Sequence, residues 1–212
     1  MQKKCLVLAC LLVRLAMPGA TWADVQTYDD LSIFLAAIQP GYYKETFDGL
    51  TADPNTYSWP LPFAGNGFSY TASALTNEFL LATLRDGQID LSTNQSQDPL
   101  IFSSFSSNVT AIGGFFFVSD FDGNVIEGTI TAKLSSGETK TVTLTNPTAL
   151  TFTGFTTAIG DPVVKLEVDA GRLDEFWPTA NDVYVGEVVP EPSTILLMGT
   201  MLVGLAGVLK RK

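Results

Sequence analysis

The side chains of this 212-residue chain that could do chemistry are its 22 Asp and Glu residues. Histidine is absent, and both cysteines, Cys5 and Cys10, lie at the very start. Imidazole bases, thiolate nucleophiles and Cys- or His-ligated metals are therefore excluded from the rest of the chain. What remains is carboxylate chemistry. A carboxylate pair flanking a sugar linkage could hydrolyse it, but nothing in the spacing separates such a pair from scattered surface acids. Carboxylates could also contribute to the roughly six to eight oxygens that calcium takes. Glu45 and Asp48 in "KETFDG" and Asp182 in "ANDVYV" fall near the first and last strands of the predicted sheet region. Such strands often neighbour each other in a sandwich, so a structural calcium is the one cofactor the sequence allows; otherwise none is expected. "DFDGN" (Asp120, Asp122, Asn124) opens like a calcium loop. It lacks the glycine and the glutamate that an EF-hand places further on, and it reads better as a hairpin turn.

Aromatic residues in Pro-containing stretches form the second candidate set. Tyr57 and Trp59 lie in "NTYSWPLP", Phe176 and Trp177 in "EFWPTA". A flat aromatic face, that of Trp59 or Trp177 above all, could stack on a sugar ring. The alternative is that these rings plug the open ends of a sandwich.

Charge narrows the partners. The formal net charge is -10, and the 12 basic residues are unevenly placed. Lys3, Lys4 and Arg14 stand near the start and Lys210, Arg211 and Lys212 at the end, leaving six between Asp24 and Leu209 against all the acidic ones. So acidic a body repels nucleic acid and anionic headgroups. It suits a soluble extracellular protein or one that gathers cations.

The elements that would position these residues are mostly strands. One soluble helix is predicted near 29–39, with Leu31, Phe34, Leu35 and Ile38 on one face, Asp29 or Asp30 as cap and Pro40-Gly41 as stop. From Gly67 the period changes to two. "GFSYTASA", "PLIFSSF", "VTAIGGFFFVSDF", "NVIEGTITAKL", "ETKTVTLT", "LTFTGF", "VVKLEVDA" and "NDVYVGEV" read as strands between turn clusters. Ile130, Ala132 and Leu134, then Val142 and Leu144, then Val164, Leu166 and Val168 alternate with polar residues, which places one face of each strand inside. "FFFV" at 115–118 reads as a central strand buried on both faces. The predicted fold is all-β: an antiparallel β-sandwich of jelly-roll type with one short N-terminal amphipathic helix.

Both ends read as addresses. Residues 1–23 have a basic start, an apolar stretch and small residues near Ala23, the layout of a signal peptide cleaved after Ala23 and exported through the Sec machinery. "VLAC" would place a lipoprotein box at Cys10, but Leu8 is bulky for that box. The body is expected over 24–188 and a sorting segment over 189–212. Its apolar run, Thr194 to Leu209, is just short of the ~20 residues of a typical span. Gly199, Gly204 and Gly207 suit a membrane helix, and the three closing basic residues would stay on the cytoplasmic side of the inner membrane.

Val189, Pro190, Glu191, Pro192 and Ser193, the apolar run and the basic tail together resemble the PEP-CTERM sorting signal of Gram-negative bacteria. The resemblance implies processing near Pro-Glu-Pro by an exosortase, a membrane cysteine transpeptidase-like enzyme. It also implies an association with exopolysaccharide and biofilm. The two prolines suit the processing step, because they keep the segment extended and out of helices and sheet centres. The body's "FLAA", "ETFDG", "FTGF" and "NDVYVGEV" are similar to exported proteins of this type, and imply a jelly roll like that of carbohydrate-binding modules. The expectation is an exported, transiently anchored and surface-sorted protein of the extracellular matrix, without catalysis. The alternatives are a carbohydrate-binding, lectin-like module acting on exopolysaccharide, and a carboxylate-based polysaccharide hydrolase.

Overall fold

The computed structural model describes residues 25–52, 56–76, 79–145, 150–171 and 175–190. The chain folds as an all-β sandwich of two antiparallel sheets with one short helix. The first sheet contains β1 (Gln26–Tyr28), β2 (Tyr43–Glu45), β3 (Thr56–Ser58), β6 (Phe79–Arg85), β7 (Gln88–Thr93), β9 (Ala111–Ser119), β12 (Phe152–Thr156) and β14 (Trp177–Gly186). Its order is β1-β12-β9-β14-β7-β6-β3, with β2 also paired to β14. The second sheet, in the order β11-β10-β13-β8-β5-β4, contains β4 (Leu61–Gly65), β5 (Phe68–Ala74), β8 (Leu100–Ser103), β10 (Gly128–Leu134), β11 (Thr139–Leu144) and β13 (Lys165–Asp169).

The inward faces follow the predicted alternation. Ile130, Ala132, Leu134, Leu166 and Val168 are buried, joined from the first sheet by Ile112, Phe116, Val118, Leu91 and Val183. β9 is buried on both faces, Phe116 and Val118 toward the second sheet and Phe117 away from it. Val164 departs from expectation: it precedes β13 and is 65% exposed. Only Leu166 and Val168 of that triplet face inward.

Helix α1 (Leu31–Ala37) is capped by Asp30, whose carboxylate accepts from the backbone N–H groups of Ser32 and Ile33. It packs on the outer face of the first sheet, outside the main core. Phe34 lies 5.2 Å from Phe152 between ring centres and covers Gly154. Phe34, Ile38, Ala111, Phe152 and Tyr184 form a separate small core there. A side chain on Gly154 would meet Phe34 at 2.7 Å and Phe152 at 2.8 Å, so glycine lets the helix approach. Ile38 leaves the helix and pairs as an isolated bridge with Val188.

"DFDGN" is a turn. The Asp120 carboxylate accepts from the backbone N–H groups of Asp122 and Asn124. It reverses the chain as a tight turn, with Ser119 bridged antiparallel to Val125 and the Ile126 N–H bonded to the Val118 carbonyl, before β10 enters the other sheet.

The predicted strand "GFSYTASA" is β5, while its hairpin partner β4 and both strands of the β6–β7 hairpin were not predicted. Asn66-Gly67 joins β4 to β5 and Asp86-Gly87 joins β6 to β7, all four residues at positive φ. That is the geometry that Asn-Gly and Asp-Gly favour in two-residue turns.

Candidate functional site

Three groups of residues stand out: the junction of β2 with β14, a buried polar network beside it, and the two ends of the sandwich. The expectation that early and late strands meet holds for β2 and β14. Glu45 pairs with Val183 and Lys44 with Tyr184, and β14 carries a bulge between Asn181 and Tyr184 with Asp182 at φ +48°.

The three candidate calcium ligands have different partners there. Asp182 binds the Lys44 ammonium at 2.8 Å. Burial works against the Lys44 charge, but the Asp182 carboxylate outweighs it and holds the ammonium above its ordinary range. Glu45 turns to the opposite side of the sheet. It accepts from the Tyr43 hydroxyl and from the Phe47 backbone N–H at 2.7 Å. Burial, then the bond to Glu45, pushes the Tyr43 hydroxyl well up. Asp48 is exposed and accepts from the Thr46 hydroxyl. Among the described residues, no three Asp or Glu side chains gather into a group that could hold a metal ion.

The strongest electrostatic feature was not anticipated. Asp90 is fully buried on the outer face of the first sheet. Arg85 donates to it from Nε at 2.7 Å and from Nη2 at 3.1 Å, and Asn181 donates from Nδ2 at 2.7 Å. The guanidinium also lies 5.3 Å from the centre of the Phe117 ring. Burial raises the Asp90 pKa; Arg85 and Asn181 pull it back only in part. Ser92, Ser119 and Thr179 continue this buried polar row, linked by hydroxyl bonds of 2.7 and 3.1 Å. The signal lay in "RDGQID": the Asp86-Gly87 turn sets Thr83 opposite Asp90 and puts Arg85 on the diagonal, within reach of a long side chain.

The aromatic candidates divide. Tyr57 is half-buried, its hydroxyl bonded to the backbone of Thr51. Phe176 packs against the main core. Trp59 is 37% exposed, and Trp177 is half-buried with Phe121 edge-on at 5.8 Å. The structure brings both tryptophans to one end of the first sheet. Leu81 pairs with Ser92 and Ser92 with Thr179, so Phe79 and Trp177 stand level, one strand apart, roughly 10 Å. Ser58 pairs with Phe79 and Trp59 follows it. Phe79 (40% exposed) and Phe121 (75%) complete a row of rings that the sequence reading omitted.

The other end of the sandwich carries the C-terminal segment. Val188 donates its backbone N–H to Thr110 Oγ1 at 2.8 Å, and Val189 donates to the carbonyl of Ala37 at 2.9 Å. Glu187 accepts from the backbone N–H of Gln39 at 2.7 Å. The fold thus holds the chain up to Val189, and Pro190 is the last described residue. Glu191, Pro192, Ser193, the apolar run at 194–209 and the cleavage position at Ala23 lie outside the described residues. Among the described residues no helix is long and apolar enough to cross a membrane.

The two-sheet body leads directly into the Pro-Glu-Pro segment, the apolar run and the basic tail of the sequence. Comparison with known families makes this specific: residues 188–212 match the PEP-CTERM protein-sorting motif. The chain carries that motif, which marks an exported protein sorted to the cell surface and processed by an exosortase. A search of curated proteins returned no match to the chain.

Proposed function

We propose that this chain is a non-catalytic β-sandwich of jelly-roll type, delivered to the extracellular or biofilm matrix after loss of a signal peptide and its sorting tail. The match at residues 188–212 carries the reading. Its support for a binding or scaffolding role is the absence of histidine anywhere and of cysteine after Cys10, which leaves no nucleophile, base and orienter in one motif. The jelly-roll topology is supported by the pairing of an early strand, β2, with the last, β14. Intact-mass spectrometry of protein from a host that has the exosortase tests the processing. The expected mature form begins at Asp24 and lacks 194–212. A mature form that keeps the tail sinks the sorting reading.

One observation favours a second reading, a carbohydrate-binding module. Trp59, Phe79, Phe121 and Trp177 share the end of the sheet away from the sorting segment. Flat rings directed away from the anchor suit stacking on exopolysaccharide. A glycan array with wild type, Trp59→Ala and Trp177→Ala separates the readings: binding lost in folded variants supports the module, and no binding by wild type leaves the scaffold. Release of reducing sugar, abolished by one carboxylate substitution, would support the hydrolase instead.

A further inference from the structure

The sorting motif begins inside the folded body. The first two residues of the matched segment, Val188 and Val189, are bonded into the sandwich. Thr110 is the hub of this contact. Its N–H donates to Gly186 and its Oγ1 accepts from Val188. Its carbonyl accepts from the backbone N–H of Thr157 at 2.8 Å and from the Thr157 hydroxyl at 3.1 Å. The adjoining Val109 carbonyl accepts from Val163 at 2.8 Å. The loop 157–164 and the sorting segment are therefore both bonded to Thr110. That loop exposes Ile159 (53%) and Val164 (65%) at the end of the sandwich that also carries Val189 (42%). Val163 and Val164 also line a shallow recess of about 200 Å³ with Leu134, Thr157 and Pro162.

Chain length turns this end of the sandwich into a contact surface. Only Pro190, Glu191, Pro192 and Ser193 separate the docked Val189 from the apolar run at Thr194. Even fully extended, four residues cover at most about 14 Å. An enzyme at the membrane that grips this segment cannot do so without meeting the body next to it. The segment has no slack to swing the body aside while Val188 and Val189 stay bonded.

Resting on the sorting reading above, we propose that the processing exosortase docks on the Thr110 end of the sandwich. Ile159, Val164 and Val189 form the apolar contact, and the bonds to Thr110 and Ala37 hold the motif in register with it. The body is thus part of the substrate. An aspartate at position 159 places a charge where the enzyme removes water. A linker between Val189 and Pro190 frees the motif from the body and makes the contact dispensable.

The experiment uses the full chain in a host with its exosortase, and reads the rate of tail loss by pulse-chase. Ile159→Asp, and independently Val164→Asp, should slow tail loss about tenfold, with the melting temperature of the protein unchanged. Leu75→Asp, exposed at the opposite end of the second sheet, should be processed like wild type. A Gly-Ser linker of roughly ten residues after Val189 should restore the rate of Ile159→Asp. Wild-type rates for both aspartate variants overturn the proposal, as does a linker that fails to rescue. In a host without the enzyme, weaker membrane association of Ile159→Asp would assign the contact to lipid and also overturn it. A wild-type chain left uncut in the enzyme-bearing host would instead refute the sorting reading itself.

Discussion

Replacing Arg85 with methionine tests the buried network most directly. Asp90 is fully buried and the Arg85 side chain is 17% exposed, so water does little to screen the pair. The substitution keeps the apolar stem over Phe117 but removes both charge-assisted bonds, leaving Asn181 as the remaining partner of Asp90. Removing one partner of a buried pair costs about 3–5 kcal/mol. In a domain of this size each kcal/mol moves the melting temperature by about 2–4 °C, so a fall of roughly 6–20 °C is expected at pH 7. The pH dependence follows from the sign of the shift. Burial raises the folded pKa of Asp90 above its unfolded value. The stability linked to its proton is therefore complete below the unfolded pKa and lost as pH rises through the folded one. Arg85 lowers that folded value, so its removal raises it further. The deficit of Arg85→Met against wild type should thus be large at pH 7 and much smaller in acid, once pH has fallen through the raised pKa of Asp90. Adding Asp90→Asn should recover most of the loss at neutral pH. Calorimetry of the purified chain across pH measures all three. Equal deficits at both pH values, or a loss under about 1 kcal/mol at pH 7, would refute the reasoning.

Further predictions concern packing and ligands. Gly154→Ala should push α1 off the first sheet through Phe34 and cost about 1–3 kcal/mol, read as a lower melting temperature and faster amide exchange at the backbone N–H of Phe34. Melting curves in millimolar calcium and in chelator should coincide, because Glu45, Asp48 and Asp182 already have separate partners. A rise of several degrees with calcium, reduced by Asp182→Asn, would mean that the ion displaces Lys44. If the aromatic end binds glycan, Trp177→Ala should lower affinity more than Trp59→Ala, since Trp177 also props the exposed Phe121; titration calorimetry with a bound oligosaccharide decides it.

The sheets were legible where one face meets the core and the other meets water. Ile130, Ala132 and Leu134 alternate with Thr131 and Lys133, and the structure buries them accordingly. The β6–β7 hairpin was missed because its strands do not alternate in this way. β6 reads Phe-Leu-Leu-Ala-Thr-Leu-Arg, and its outer face is covered near Thr83 by the turn around Gly123. Burial on both faces erases the period, and only Asp86-Gly87 was left to announce the turn. Val164 failed for the opposite reason: it continued the alternation one step beyond the strand that required it.

The sequence by itself determined the destination, because the Pro-Glu-Pro segment, the apolar run and the basic tail are contiguous and need no fold to be read. It also determined the all-β class and the capped helix, since both rest on local period and local hydrogen bonding. Tertiary structure decided what each side chain faces. The candidate ligands Glu45 and Asp182 lie 137 positions apart in the chain; pairing of β2 with β14 made them neighbours, and the alternation of the strand turned one to Tyr43 and the other to Lys44. Asp90 looked like any surface acid until strand pairing set Arg85 and Asn181 around it. The four rings at one end and the sorting segment at the other belong to elements that only register aligns. Charge pairing, burial and proximity act through space, and here the chain brings the participants together from nearly opposite ends.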